Sequence, residues 1–283
     1  MTRSLAFLVV LVATLVLAVP AAAATPTQQP RRIVSLSPTA TESLFAIGAG
    51  RQVIAVDNQS TYPTSAPKTD LSGFTPNVEA IAAYRPDLVV VQFDANGIVG
   101  ALRRLGVPVL MQAPARSLSE AYAQIRQLGR VTGRRKSAAV VVARMQKRIA
   151  SLVASSRARA RGLTVFHEVS PDLYSATSRT FVGRVYALFG LRNIADAADS
   201  AAGGFPQLSP EYVIRADPHL IVLADTTCCG QTPQTVASRP GWRSVRAVRN
   251  GLIVRIDDSI ASRWGPRIVN FVRAVASALS RRA

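Results

Sequence analysis

One phrase occurs twice in this chain, and the repeat limits the fold more than any other feature. The first copy runs from Glu79 through Pro86 and Asp87 into the apolar run Leu88 to Val91. The second runs from Glu211 through Pro218 and His219 into Leu220 to Leu223, with glutamate, proline and leucine at the same spacing. Each copy reads as a short helix opened by a carboxylate, a proline stop and a buried strand. A negative side chain is favoured at a helix N-terminus, and proline cannot continue a helix. The segments Leu44 to Gly48 and Tyr186 to Gly190, apolar helix ends stopped by glycine, extend the repeat. A duplicated lobe accounts for both. Two lobes leave a cleft between them, so ligand capture is the first functional expectation.

The rest of the pattern supports an α/β class. Apolar strands are expected at 32–36, 53–56, 88–91 and 107–111, and again at 163–169, 220–224 and 252–256. Helical segments alternate with them: one capped by Thr41 with Leu44, Phe45 and Ile47 on one face, others near 97–105, 180–189 and 266–279. Such alternation predicts two lobes, each a central, mostly parallel sheet flanked by helices. From Ser117 to Arg161 there is no strand pattern and no proline. A helix capped by Ser117 breaks at Gly129 or Gly133. A second carries Met145, Ile149 and Leu152 on a stripe facing away from Arg144, Lys147 and Arg148. A helix of about 25 residues spans nearly 40 Å and could join the lobes in one rigid piece. Two ordinary packed helices fit the same pattern. The expected division is a signal peptide at 1–24, an N-terminal lobe at 25–132, a connecting helix at 133–161 and a C-terminal lobe at 162–283.

Arg3, an apolar run from Leu5 to Val19, and the small residues Ala21 to Ala24 describe a secretory signal. An uncleaved anchor is the rival reading. With the signal removed, about 260 residues remain, enough for two modest cores. The expected location is the periplasm or the outer face of the cytoplasmic membrane. The formal charge is +18. Export argues against a nucleic-acid partner and leaves an anionic ligand, an anionic surface or a solvated basic surface. The two cysteines, Cys228 and Cys229, are adjacent. Neighbouring Cα atoms lie about 3.8 Å apart, shorter than the usual disulfide span, so a strained vicinal ring, free thiols and an intermolecular bridge all stay open.

At this point several phrases resemble a known family. Ile33-Val34-Ser35-Leu36-Ser37-Pro38 with Thr41-Glu42, Tyr62-Pro63, Asn77-Val78-Glu79 and Pro86-Asp87-Leu88 look like the vitamin B12 and iron-siderophore substrate-binding proteins of ABC importers. Gly204-Phe205-Pro206-Gln207-Leu208-Ser209 and Arg263-Trp264-Gly265-Pro266-Arg267 agree in the second half. The resemblance implies two α/β lobes joined by one long backbone helix, with the ligand held between them. It implies that Glu79 and Glu211 dock onto arginines of a membrane permease. It also implies cleft residues on loops, here Tyr62, Phe74, Tyr174, Phe205, Asp258, Arg263 and Trp264.

The same resemblance bears on the cargo. Phe74 and Phe205 stand at or beside positions where B12 binders often carry tryptophan. The heme binders carry tyrosine where this chain has Phe74, and phenylalanine cannot ligate iron. The aromatic that B12 binders place near Gln59 is absent. Siderophore pockets gather several arginines, whereas Arg263, Arg179 and Arg267 are the candidates here. The expected cargo is therefore a metal chelate, cobalamin or another corrinoid first and a ferric siderophore second, with hemin less favoured. No resident cofactor, metal site or catalytic residue is expected, and the protein is expected to act as a monomer. No phosphate loop, His-Glu-x-x-His or Gly-x-Ser-x-Gly pattern occurs in the sequence. His167, beside Glu168, could reach a bound metal at the cleft edge or be a satisfied strand histidine. The contrasting class is an exported enzyme or basic wall-binding module.

Overall fold

The computed structural model describes residues 29–201 and 203–281. The expected signal segment lies outside them. Strands β1 (Ile33–Leu36), β2 (Val53–Val56), β3 (Leu88–Val91) and β4 (Val109–Met111) form a parallel sheet in the order β2-β1-β3-β4. Strands β5 (Thr164–Glu168), β6 (Arg192–Asn193), β7 (Leu220–Leu223) and β8 (Ile253–Arg255) form a second parallel sheet in the order β6-β5-β7-β8. The order is the same in both, second-first-third-fourth, so the repeated phrase marks a repeated topology. The central strands β1, β3 and β7 are buried along their whole length, as parallel strands covered on both faces require.

Helices α1 (Pro38–Ala46), α2 (Val78–Ala83), α3 (Ile98–Arg104) and α4 (Leu118–Val131) belong to the first lobe. After α5 (Arg135–Ala160) come α6 (Phe181–Phe189), α7 (Pro210–Ala216), α8 (Pro233–Ala237), α9 (Arg246–Arg249), α10 (Asp258–Ala261) and α11 (Ile268–Ser280). The expected cap at Thr41 is displaced. Ser37 caps α1, its Oγ accepting from the Ala40 N–H at 3.3 Å, and Pro38 takes the first helical position. Proline starts a helix readily because its φ is preset and its missing N–H would be unpaired there. Thr41 therefore sits one turn inside, buried, and donates to Ser35 Oγ at 2.9 Å.

The segment between the lobes resolves into α4, a reversal at Gly133, and α5, an unbroken helix of 26 residues. At 1.5 Å per residue it is about 39 Å long. Gly129 stays inside α4; a Cβ there would lie 2.4 Å from that of Ala138, so its absence lets the two helices approach. One face of α5 buries Ala138, Val142, Met145 and Ile149. It packs against α4 in the first lobe and against α6 and α11 in the second. Leu44, Ile125, Ile149, Phe189 and Phe271 belong to one continuous apolar cluster. The core thus runs through the connection rather than stopping at it. No helix among the described residues is long and apolar enough to cross a membrane.

Candidate functional site

Both sheets turn their C-terminal edges toward a common cleft. The residues around it stand at or just beyond strand ends. Leu36, Asp57, Phe93 and Pro114 follow the strands of the first lobe, and Val169, Ala224 and Asp258 those of the second. The cleft holds two cavities on either side of the segment 262–264. One of about 190 Å³ is lined by Leu36, Pro38, Asp57, Gly73, Phe74, Phe93 and Arg263. The other, of about 570 Å³, is lined by Pro114, Ala115, His167, Val169, Phe181, Phe205, Asp258 and Trp264. The Gly73 backbone is pressed against the wall: a Cβ there would lie 2.8 Å from Asp57 Oδ2 and 2.9 Å from the Leu36 carbonyl oxygen.

The walls are aromatic and open. Phe74 is 66% exposed and Phe205 55%. Phe74 and its exposed neighbour Phe93 form a contiguous apolar patch, the kind of exposed surface that marks a contact site. Phe74 stacks on Phe93 with ring centroids 6.1 Å apart and planes 27° from parallel. Phe93, Phe181 and Val169 line the cleft although the sequence did not single them out. For Phe93 and Val169 a signal existed: an apolar residue just past a strand's C-terminal end.

Each arginine on these walls is already paired. Arg263 Nη1 donates to Glu42 Oε1 at 2.9 Å and its Nη2 to the Gln59 carbonyl at 2.7 Å. Arg179 donates to Asp199 Oδ2 at 2.6 Å, and Arg116 Nε lies 3.7 Å from Glu120 Oε1. Arg267 joins Arg263 on the same buried carboxylate, with Nε 3.0 Å from Glu42 Oε2 and Nη2 2.5 Å from Oε1. Burial opposes the charge on Arg267, but Glu42, with smaller contributions from Asp257 and Tyr62, holds that guanidinium above its ordinary pKa. Glu42 stands on α1 and both arginines on the second lobe, so the triad ties the lobes together.

The other expected site residues are distributed unevenly. Tyr62 does not line either cavity; its ring lies under Arg267, 4.3 Å from the guanidinium carbon. Tyr174 is exposed, makes an isolated backbone bridge to Gln207, and lines neither cavity. Trp264 lines the larger cavity but is 8% exposed, its Nε1 donating to Gln124 Oε1 at 2.8 Å. Asp258 accepts from the N–H groups of Thr227 and Cys228 at 2.9 and 2.7 Å, which fixes the cysteine turn at the rim. Cys228 and Cys229 are bonded to each other. His167 Nδ1 and the Tyr186 hydroxyl are 2.7 Å apart, and burial pushes the imidazole down to about 4. It is therefore a neutral, satisfied strand histidine. Among the described residues no cluster of three or more His, Cys, Asp or Glu could hold a metal ion.

Glu79 and Glu211 occupy matching places. Each is exposed in the first turn of its helix, α2 capped by Asn77 and α7 by Ser209. Each helix follows a cleft loop, carrying Phe74 and Phe205 respectively, and leads back to the start of a strand. Both glutamates thus stand on the cleft side of their lobes.

Beside the floor of the larger cavity, Arg239 grips Glu168 through two bonds of 2.6 Å. The neighbouring Asp225 is fully buried, and its carboxyl oxygens face no donor, only the Glu168 carboxylate. Burial, and then the Glu168 charge, push its carboxyl up to about 7. An unfolded aspartate titrates near about 3.9. The folded carboxyl's stabilising share is complete below that value and is lost as pH rises through about 7. Asp225→Asn is expected to flatten the decline in stability between about pH 4 and pH 7, read by chemical denaturation of both proteins.

Comparison with known proteins adds to this geometry. Residues 33–260 match the family described as periplasmic binding protein. An uncharacterised ABC transporter substrate-binding lipoprotein of Bacillus subtilis is 30% identical over 261 residues, covering 89% of this chain and 81% of its own. A cobalamin-binding protein of Halobacterium salinarum is 30% identical, covering 88% of this chain and 69% of its own. Among solved structures, a periplasmic solute-binding protein of Staphylococcus epidermidis, described as a possible iron binder, superposes with a TM-score of 0.76. It shares 25% identity and covers 90% of this chain and 100% of its own.

Proposed function

Because this chain belongs to the periplasmic binding protein family, we propose that its cleft captures a corrinoid and delivers it to an ABC importer permease. The observation that carries the corrinoid reading is the pairing of the wall arginines. Arg116, Arg179 and Arg263 each face a carboxylate of the protein itself. A polyanionic chelate would have to break those pairs to gain its own, which is costly at Arg263, whose pair with Glu42 is buried, and cheaper at the exposed Arg116 and Arg179. A flat macrocycle edged with neutral amides needs no such exchange and can lie on Phe74, Phe93 and Phe205. The name of the Halobacterium relative agrees with this cargo. A ferric siderophore is the second reading, favoured by Arg116. It lies at the rim, its side chain is 80% exposed, and its 3.7 Å contact to Glu120 is loose enough to be exchanged. The apolar start of the chain supports export. The carrier reading involves no chemical transformation of the cargo.

The test is a thermal-shift and titration series with cyanocobalamin, cobinamide, ferric siderophores and hemin. Saturable binding of the corrinoids at micromolar concentration or below, with the others weaker, is the expected result. Tighter siderophore binding would transfer the assignment. In the same series Phe205→Ala is expected to weaken the bound corrinoid by about 1–3 kcal/mol. An unchanged affinity would remove Phe205 from the binding wall.

A further inference from the structure

The charge excess is not spread evenly. From Ala121 to His167 there are nine arginines and two lysines and no aspartate or glutamate; all sixteen carboxylates of the chain lie elsewhere. All eleven cations are exposed, and among the described residues none is in an ion pair. On α5, Lys136, Arg144, Lys147 and Arg148 face away from the stripe of Ala138, Val142, Met145 and Ile149. Arg144 and Arg148 are like charges four apart, an arrangement that weakens an isolated helix. From Lys136 to Arg159 the array extends along the rod for about 35 Å.

Its position separates it from the cleft. Arg130, Arg134, Arg135 and Lys136 share a groove with Pro30, Asp87, Leu88 and Pro108, which precede or begin strands β1, β3 and β4. The far end of α5 leads directly into the start of β5. The rod therefore crosses the N-terminal edges of both sheets, whereas the cleft, Glu79 and Glu211 lie at the C-terminal edges. We infer that the outward face of α5 and the end of α4 form a docking surface for a linear phosphodiester polymer of the cell envelope. Such a polymer would hold the protein by its back and leave the cleft open. Guanidinium forks match phosphate oxygens two at a time and stay charged at any working pH. A row of charges fits a chain of phosphates better than it fits one small anion. A lipid bilayer fits less well. The outward face lacks the Trp, Phe and Leu that anchor an interfacial helix. A bilayer held there would also turn the cleft away from any permease.

The experiment uses the exported protein and poly(glycerol phosphate) chains as the probe. Saturable binding that weakens steeply with added salt is expected. The variant Lys136→Gln, Arg144→Gln, Lys147→Gln, Arg148→Gln should bind at least about tenfold more weakly at low salt. A control with four other exposed arginines changed to Gln, at 103, 104, 243 and 249, should bind as the parent does. Equal loss in both variants, no polymer binding, or preferential binding to phosphatidylglycerol vesicles would each overturn the assignment. So would competition between the polymer and cyanocobalamin, because that would place the polymer in the cleft. The polymer readout needs no cleft ligand, so it stands or fails independently of the corrinoid reading.

Discussion

Replacing Glu79 and Glu211 together with Ala is expected to abolish ligand uptake while leaving ligand affinity unchanged. The two carboxylates stand at equivalent places in two lobes of the same topology, exposed and on the cleft side. In the folded protein each gains about 0.3–1 kcal/mol from the dipole of its helix. That small term is all the fold should lose, since Asn77 and Ser209 keep the caps in place. Against the permease arginines that the family resemblance implies, the expected loss is larger. Truncating one partner of a hydrogen-bonded interfacial charge pair costs about 2–5 kcal/mol, and here both anchors go at once. The measurement is transport by cells or proteoliposomes carrying the cognate permease, set beside a corrinoid titration of the purified variant. A fall in affinity, or normal uptake, would sink the docking assignment.

Glu42→Ala should be strongly destabilising. It leaves Arg263 and Arg267, whose side chains are 11% and 15% exposed, without their carboxylate. Removing one partner of a buried ion pair typically costs about 3–5 kcal/mol, because the uncompensated charge remains inside. For a chain of this size that corresponds to a fall in Tm on the order of 6–20 °C. Glu42→Gln, which keeps the shape and one acceptor, should fall between. Arg116→Ala, which breaks an exposed pair, should change Tm little. Calorimetry of the three variants decides. A Glu42→Ala protein as stable as the parent would show that the triad does not hold the lobes together.

Much of the architecture was legible because it is written in periodicity. The duplicated phrase gives α2-β3 and α7-β7, and the strand-free stretch gives α4 and α5. What was missed depends on contacts between distant residues. Thr41 is a good capping residue by type, but Ser37 followed by proline starts α1 one turn earlier. The two-residue strand β6 is too short to carry a pattern. Glu42 sits in a recognised phrase, yet its partners lie more than two hundred residues away. Arg263 was expected to be an anchor for cargo. It does line the cleft, but its charge is committed to Glu42. Tyr62, expected as a cleft aromatic, places its ring 4.3 Å from the Arg267 guanidinium carbon. Loop residues such as these are placed by tertiary pairing, which spacing along the chain does not encode.

The uninterrupted course of α5 through a core shared by both halves has a consequence for transport. Flexing it would break consecutive backbone hydrogen bonds and open apolar packing to water. For the proposed carrier, this makes a calliper whose jaws are set before the object arrives. Empty and loaded forms are then expected to present nearly the same outline to an importer, which would have to sense the cargo itself at the gap.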